Sequence, residues 1–252
     1  MVKKIKKKYY WRGWDKNPEY ERTIDRLKKK LPIMECSKQL VSIVSKFYKP
    51  NMKILDFGCA AGHYYYALKK LNRHVNYTGL DATKFYIDYA KDFFKKENNT
   101  HFDRQSLFNL NKKYNKKFDI VYCCNVLLHL PSIEIPIKNL LKASKKYCVI
   151  RTLVDTNTHL SQLVFDDRYV SSKKPVNYAY QNTYSRDLIK NCIMKNGKYK
   201  IKFIKDKFNS KKINQEHNKY NKKFRDSITF AKNNIQISGN KVFKWEWVLI
   251  KK

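Results

Sequence analysis

The sequence KILDFGCAAG, residues 53–62, joins a mainly apolar run to two glycines in the spacing G-x-x-x-G. The run KILDF predicts a buried strand, and HYYYALKKL after the glycines predicts a helix. Gly58 allows the backbone to turn sharply and to come close to a ligand, and Gly62 allows tight contact between helix and strand. The N–H groups of the first helical turn would then face that ligand. The stretch therefore predicts the first unit of an α/β fold with a ligand at the turn.

Apolar strands and helices continue to alternate after this unit. Further strands are predicted in VNYTGLD, THFDRQSLF, FDIVYCCNV and YCVIRTLV, with helices between them in ATKFYIDYAKDFFKK and around Ile137. Continuous apolar runs separated by helices are typical of a parallel sheet that is covered on both faces. KYKIKFIKDKF and VFKWEWVLI predict two later strands that could pair as an antiparallel edge. Ser132 is expected to cap the helix that contains Ile137.

The chain divides into a short N-terminal segment and one larger domain. Residues 1–50 begin with basic and aromatic residues, continue with the helical pattern CSKQLVSIVSKFY and end at Pro50. Residues 51–252 form the predicted domain, in which 155–183 and 208–241 are irregular insertions on the acceptor side or the surface. Between these insertions, TYSRDLIKNCIMKNG predicts a helix that stops at Gly197.

The composition argues against several classes of protein but does not identify a binding partner. The 252 residues include 55 Lys+Arg and 21 Asp+Glu, a formal net charge of +34. Such a charge suits nucleic acid, anionic lipid or acidic substrates, but a genome rich in A/T codons for Lys and Asn would produce it as well. No apolar run is long enough to span a membrane, and six scattered cysteines without C-x-x-C argue against a zinc site or a disulfide framework. We expect a cytoplasmic protein without a metal.

Two acidic residues narrow the kind of ligand expected at the turn. Asp56 precedes the first glycine by two residues, where it would repel a pyrophosphate but suit an ammonium group. Asp81 ends the second predicted strand, and a carboxylate there can accept hydrogen bonds from both hydroxyls of an unphosphorylated ribose. Together they predict a nucleoside with a positively charged amino-acid tail.

Four motifs, LDFGCAAG, GLDAT, RQSLFNL and FDIVYCCNVLLHLP, occur in one order over residues 51–154. In these motifs the chain resembles the class I S-adenosylmethionine-dependent methyltransferases. The resemblance implies a three-layer α-β-α Rossmann-like sandwich with a mostly parallel seven-stranded sheet, an antiparallel last strand and a small N-terminal helical cap. It also implies S-adenosylmethionine as cofactor, with Arg12 as a partner of its carboxylate if the N-terminal segment folds over the site. The other cofactor-binding residues that it implies are Asp56, Gly58, Ala60, Gly62, Asp81, Ala82, Ser106, Leu107 and Asn125. Ala60 stands where a glycine is commoner in the family, and Ser106 stands where an acid is often found.

Methyl transfer requires an acceptor in position and, where necessary, a base for its proton. His129 after the fourth strand, and Asp155 and His159 after the fifth, are the candidate catalytic residues. A capping or packing role is the alternative for His129. Tyr178, Tyr180 and Tyr184 are expected either in an acceptor pocket or in ordinary packing.

Three functions remain open at this point. The first is methyl transfer to an oxygen of a small molecule or a saccharide, because the aromatic segment 155–183 could enclose such an acceptor. The second is RNA methylation through the basic stretch 198–225. The third is a non-catalytic, methyltransferase-like partner protein.

D/N-P-P-Y/F/W is absent after the fourth strand, which argues against methylation of exocyclic amines, and Cys123 and Cys124 are expected in the core.

Overall fold

The computed structural model describes residues 18–164, 178–207, 209, 229–232, 235–238 and 241–252. Its strands are β1 (Lys53–Phe57), β2 (Asn76–Asp81), β3 (Thr100–Arg104), β4 (Phe118–Cys124), β5 (Ser144–Asp155), β6 (Gln162–Val164), β7 (Tyr178–Tyr180), β8 (Tyr184–Ser185), β9 (Lys200–Lys205), β10 (Thr229–Lys232), β11 (Ile235–Ser238), β12 (Lys241–Phe243) and β13 (Trp245–Lys251). Its α-helices are α1 (Pro18–Leu27), α2 (Glu35–Val44), α3 (Tyr65–Leu68), α4 (Lys84–Phe93), α5 (Glu134–Ala143) and α6 (Arg186–Met194). Short 3₁₀ helices lie at Lys112–Tyr114 and Leu127–His129.

The central sheet has the strand order β3-β2-β1-β4-β5-β13-β9, and the two-residue strand β8 pairs with β5 beside this path. β1 to β5 pair in parallel, whereas β13 runs antiparallel to both β5 and β9. The predicted mostly parallel sheet of seven main strands with an antiparallel last strand is therefore confirmed. The structure adds that β13 lies inside the sheet, so that β9 forms the edge.

The helices cover both faces of this sheet and make it the middle of three layers. Ile24 of α1 and Leu40 of α2 pack into one buried core together with α3 and α4. Ile137 of α5 and Ile189 of α6 belong to the core on the opposite face. The N-terminal helices exist as expected and share a core with the sheet, while the division of the chain at residue 50 stays a prediction.

Several local predictions differ from the structure. The helix predicted in HYYYALKKL is only the four-residue α3, because the N–H groups of Lys70 and Leu71 bond three residues back and tighten the chain. Ser132 does not cap α5: the residue before the first helical turn is Ile133, which makes no side-chain cap. The segment 208–241, expected to be irregular, contains the antiparallel strands β10 and β11, and β12 begins at its last residue. β6 and β7 likewise pair within 155–183.

Other local predictions are confirmed. The helix predicted in TYSRDLIKNCIMKNG is α6, and the structure adds a cap at its start, where the Ser185 side chain accepts the N–H of Leu188. Gly197 follows that helix with φ +141°, and its N–H bonds to the Met194 carbonyl. Cys123 and Cys124 are buried in β4 and take part in the core.

Candidate functional site

A cavity of about 440 Å³ opens at the carboxyl ends of β1, β2 and β4. Its wall includes Gly58 and Ala60 after β1, Asp81 and Ala82 at the end of β2, and Asn125 after β4. This is the edge at which open α/β sheets bind their ligands. These residues belong to motifs that are far apart in the chain, and the structure brings them together at one cavity.

The turn after β1 requires glycine at both predicted positions. Gly58 has φ +84°, and a Cβ atom there would lie 2.3 Å from Cγ2 of Val126. Its N–H donates to the Leu80 carbonyl at 2.7 Å, which fixes the turn against β2. Gly62 has φ +85° and lies against the Phe102 ring, where a Cβ would approach within 2.8 Å. Gly62 does not line the cavity and instead allows the turn to pack closely on β3.

Asp81 is held at the cavity by two backbone donors. Its Oδ2 accepts the N–H of Ala60 at 2.9 Å, and its Oδ1 accepts the N–H of Thr83 at 2.9 Å. Ala60 reaches this position in a left-handed conformation, with φ +46°, which explains why glycine would fit more easily there. Burial raises the pKa of Asp81, and the N–H donors of Thr83 and Ala60 oppose that shift. A carboxylate with one donor on each oxygen keeps further lone pairs for a ligand.

Asp56 has different surroundings from the ones its motif suggested. It is 2% exposed, does not line the cavity, and accepts the Tyr77 hydroxyl at Oδ2 over 2.7 Å. Side chains alternate along β1, so Leu55 and Phe57 enter one core while Asp56 faces the other. Burial raises the pKa of Asp56 to about 7, against the opposing effect of Tyr77. Direct contact between Asp56 and a ligand is therefore not supported by its position.

Ser106 and Leu107, which are predicted to bind the cofactor, line the cavity beyond β3. The Ser106 hydroxyl accepts the N–H of Phe108 at 3.2 Å, and Leu107 is 5% exposed. Asn139 of α5 donates its amide to the Leu107 carbonyl at 2.7 Å and so fixes this wall. The arrangement offers an apolar surface with a hydroxyl at its edge.

His129 also lines the cavity, and its protonation state follows from its contacts. Its Nδ1 lies 3.0 Å from the Tyr180 carbonyl oxygen, which can only accept, so Nδ1 carries the proton. Burial lowers the pKa of His129 to about 4, although the bond to Tyr180 opposes this. The imidazole is therefore neutral near pH 7, with Nε2 as its basic nitrogen.

The other two candidate catalytic residues do not reach the cavity. Asp155 accepts the Lys244 ammonium at 2.8 Å, and this ion pair lowers the pKa of the carboxyl group. His159 is exposed, and its backbone pairs with Thr183. The chain leaving β5 is thus tied to Lys244 and Thr183, which keeps both side chains outside the cavity. The predicted catalytic roles of Asp155 and His159 are not supported by this geometry.

Of the predicted acceptor-side tyrosines, Tyr184 is explained by packing. It is 1% exposed and donates its hydroxyl to the Leu127 carbonyl at 3.0 Å. Tyr178 and Tyr180 pack edge to face in β7. Neither lines the cavity, although the carbonyl of Tyr180 holds His129 and its neighbour Gln181 reaches the wall.

Several wall residues were missed by sequence reasoning. They come from α1, from the turn after Gly62, from the residue after β7 and from the C-terminal strands, and include Arg22, Arg26, His63, Gln181, Gln236, Phe243 and Trp245. Two signals could have found some of them. Arg22 and Arg26 are one helical turn apart on α1. An antiparallel last strand begins at the carboxyl edge of its parallel neighbours, which is where Trp245 lies.

His63 contains an unsatisfied polar atom at this wall. Its Nδ1 is buried and has no hydrogen-bond partner within the described part of the chain. Burial and the charge of Arg26 lower the pKa of His63 to about 3. A buried polar atom without a protein partner is a position at which a bound ligand or water can supply the missing bond. Arg12, the predicted partner of the cofactor's carboxylate, lies outside the described residues.

Comparison with known proteins finds methyltransferases among those similar to this chain. A family model described as "Methyltransferase domain" matches residues 48–242. Ubiquinone biosynthesis O-methyltransferase from Pelagibacter ubique (strain HTCC1062) is 31% identical over 115 residues, which is 46% of each chain. The chain thus aligns with about half the length of this curated relative.

Solved structures of low sequence identity share the fold. An S-adenosylmethionine-dependent methyltransferase from Mesorhizobium loti has a TM-score of 0.53 at 10% identity, covering 85% of this chain and 98% of its own. Magnesium protoporphyrin IX methyltransferase from Synechocystis PCC 6803, solved with S-adenosylhomocysteine (SAH) bound, has a TM-score of 0.54 at 14% identity, covering 94% and 95%. The [4+2]-cyclase SpnF has a TM-score of 0.57 at 12% identity, covering 85% and 80%.

Within the described residues, none of the helices combines the length and the apolar character that a membrane crossing needs.

The family model covers most of the chain, and the central sheet combines parallel and antiparallel strands. The chain therefore belongs to the methyltransferase domain family.

Proposed function

We propose that the chain binds S-adenosylmethionine in the cavity and transfers its methyl group to an oxygen of a small molecule. Asp81 is the observation that carries this proposal. Its carboxylate lies at the tip of β2, is held by Ala60 and Thr83, and keeps lone pairs for the two hydroxyls of a ribose. The same negative charge would repel a phosphorylated ribose, so the site favours an unphosphorylated nucleoside.

The rest of the wall fits the other parts of this cofactor. The apolar side of Leu107 and the hydroxyl of Ser106 suit an adenine ring, and Ala82 lies beside the ribose position. The turn at Gly58 and Ala60 brings backbone groups close to the amino-acid tail. These contacts are predictions drawn from the positions of the residues.

When bound, S-adenosylmethionine supplies a methyl group activated by a positively charged sulfur. The chain then has to hold the acceptor and receive its proton. His129 lines the cavity with Nε2 as its basic nitrogen, because Nδ1 donates to the Tyr180 carbonyl. With a pKa of about 4 it is a weak base, which favours an acidic acceptor such as a phenol or a carboxylic acid over a saccharide hydroxyl.

The acceptor side of the cavity supports a small, partly apolar substrate. Leu128, Phe243 and Trp245 supply apolar surface there, and Gln181 and Gln236 supply amide groups. The Pelagibacter relative carries the name of an O-methyltransferase, which supports oxygen as the accepting atom. We therefore propose a small molecule, in preference to a saccharide, as the methyl acceptor.

RNA methylation remains the second candidate. The described start of the basic stretch is Lys198–Lys207, and β9 exposes Lys200, Lys202 and Lys205. Exposed lysines on an edge strand also prevent pairing with other chains, so they do not require a nucleic-acid partner. A non-catalytic, methyltransferase-like partner protein is the third candidate. The [4+2]-cyclase of the same fold does not support it, because that protein is itself named as an enzyme.

Isothermal titration calorimetry with S-adenosylmethionine and SAH tests cofactor binding. Asp81→Ala is expected to weaken both affinities by about tenfold or more, because it removes a charged hydrogen-bond acceptor. Asp92→Ala is the matched control, since Asp92 is an exposed residue of α4 whose side chain is 80% accessible. Absence of binding to the wild type, or equal losses in the two variants, would contradict the proposal.

Transfer of a tritiated methyl group to fractions of an extract of the source cells tests the acceptor. Label in the small-molecule fraction supports the proposed function, and label in RNA supports the second candidate. Cofactor binding without label in any fraction supports the non-catalytic one.

A further inference from the structure

A buried charge pair lies directly behind the β4 side of the cavity. Nε of Arg151 in β5 donates to Oδ2 of Asp206 at 2.7 Å, and the two side chains are 6% and 3% exposed. The indole N–H of Trp247 donates to the same oxygen at 3.0 Å. Removing both charges from water costs about as much as their attraction returns, so stability alone does not explain why the pair is present.

Arg151 makes a second contact, toward the cavity. Its Nη1 donates to Oδ1 of Asn125, and its guanidinium lies 4.0 Å from the ring centre of Trp245. Because a guanidinium has donors and no acceptor, the Asn125 atom that faces it must be the oxygen. The amide nitrogen of Asn125 is therefore on the other side of the carboxamide.

Both the backbone and the side chain of Asn125 depend on Arg151. Asn125 has φ +61°, a left-handed conformation that asparagine and glycine tolerate best, and its N–H donates to the Arg151 carbonyl at 3.0 Å. Its side chain lines the cavity, and its NH₂ group makes no hydrogen bond to the part of the chain that the structure describes. The group offered to a ligand is thus a hydrogen-bond donor with a fixed direction.

We propose that Arg151 is a positioning residue, which turns the NH₂ group of Asn125 toward the cavity so that it donates to the carboxylate of the cofactor's amino-acid tail. This inference rests on the proposed function. An amide whose oxygen is bound to a cation is polarised and becomes a stronger donor. Asp206 balances the charge of Arg151, so the cavity meets a directed donor rather than an additional net charge.

The test compares two ligands by calorimetry: SAH, and 5′-methylthioadenosine, which lacks the amino-acid tail. Asn125→Gly keeps the left-handed backbone and removes the donor, and it should weaken SAH binding by about tenfold or more while methylthioadenosine binding stays unchanged. The paired variant Arg151→Met/Asp206→Asn removes both buried charges together and retains an acceptor for Trp247. It should reduce SAH affinity alone, by a smaller factor.

Asn51→Gly is the matched control, because Asn51 also has a positive φ (+67°) but lies outside the cavity. It should leave both affinities unchanged. The positioning role is wrong if Asn125→Gly weakens both ligands equally or neither of them, or if the paired variant binds SAH as the wild type does. A wild type that binds neither ligand would contradict the proposed function, and the positioning role with it.

Discussion

Asp56 and Asp81 belong to neighbouring strands, and their surroundings give the two carboxyl groups different chemistry. Asp81 meets the cavity with a backbone N–H on each oxygen, whereas Asp56 is enclosed beside Tyr77. Burial raises the pKa of both, in Asp56 to about 7. A sequence motif that contains an acid therefore does not establish that the acid touches the ligand.

The raised pKa of Asp56 predicts a specific dependence of stability on pH. In the unfolded chain this carboxyl group ionises near its ordinary value of 3.8, so folding binds a proton between pH 4 and 7. The folded state therefore loses stability from this group as the pH rises to about 7 and changes little above it. Asp56→Asn should become more stable relative to the wild type over that range, measured by urea denaturation at several pH values. A difference that does not change with pH would contradict the raised pKa.

His129 is expected to act in the opposite direction. Its pKa of about 4 in the folded chain lies below its ordinary value of 6.5, so the unfolded chain binds the proton first as the pH falls. The folded state should then lose stability between about pH 6.5 and 4, and His129→Gln should reduce that loss. An NMR titration of the His129 Cε1 proton provides the direct measurement. A midpoint near pH 6.5 would contradict burial of the imidazole.

At the scale of elements, the turn between β1 and α3 is the structure least tolerant of a side chain. Gly58→Ala combines a positive φ with a Cβ 2.3 Å from Val126, so it should abolish SAH binding and lower stability by about 1–3 kcal/mol. Gly197→Ala, at φ +141° and remote from the cavity, should lower stability without changing SAH affinity. Calorimetry and urea denaturation separate the two effects. Unchanged binding in Gly58→Ala would contradict the role given to this turn.

The start of α6 provides a second prediction for an element. Ser185→Ala removes the hydroxyl that accepts the Leu188 N–H and should lower the free energy of unfolding by about 1 kcal/mol. Ser132→Ala is the matched control, because the first turn of α5 has no side-chain cap and Ser132 is exposed. Urea denaturation of both variants checks the difference. Equal losses would contradict the cap at Ser185.

The elements that could be predicted from the sequence are those with a clear apolar period. β1, β2, β4 and the antiparallel β9 and β13 follow from such patterns. β10 and β11 could not be predicted, because the four residues of each strand (TFAK and IQIS) are too few to show a period. Val242 and Phe243 of β12 fall within the strand predicted in VFKWEWVLI, which the structure divides at Lys244. The interruption between β12 and β13 at Lys244 depends on tertiary pairing, since the Lys244 carbonyl accepts the Val154 N–H.

The site was predictable where a motif fixes the backbone. Gly58, Ala60, Asp81, Ser106 and Asn125, which the motifs predict as cofactor-binding residues, line the cavity. Asp155 and His159 are predicted at the site because ligands bind at the carboxyl ends of strands. That rule does not determine the direction of a side chain or its partner, and Asp155 pairs with Lys244 instead. Arg22 and Trp245 come from distant parts of the chain and become neighbours of the site only through packing.

For the whole molecule, the net charge of +34 predicts a dependence on salt. Repulsion among the lysines opposes the compact state and is screened as the ionic strength increases. The melting temperature should therefore rise between about 10 and 200 mM sodium chloride, in scanning calorimetry. A neutral osmolyte at equal osmolarity is the control. A constant or falling melting temperature in salt would contradict this prediction.

The position of β13 between β5 and β9 has a consequence for the order of assembly during synthesis. β9 pairs in the described sheet with β13 only, and β13 begins at Trp245, 40 residues after β9 ends at Lys205 (245 − 205 = 40). At about 5–20 residues per second, a ribosome needs roughly 2–8 seconds to produce that interval. In a chain that folds while it is being synthesised, the sheet would end at β5 during this time, and β9 would have no strand to pair with. The exposed Lys200, Lys202 and Lys205 of β9 would then keep the unpaired strand from pairing with another nascent chain.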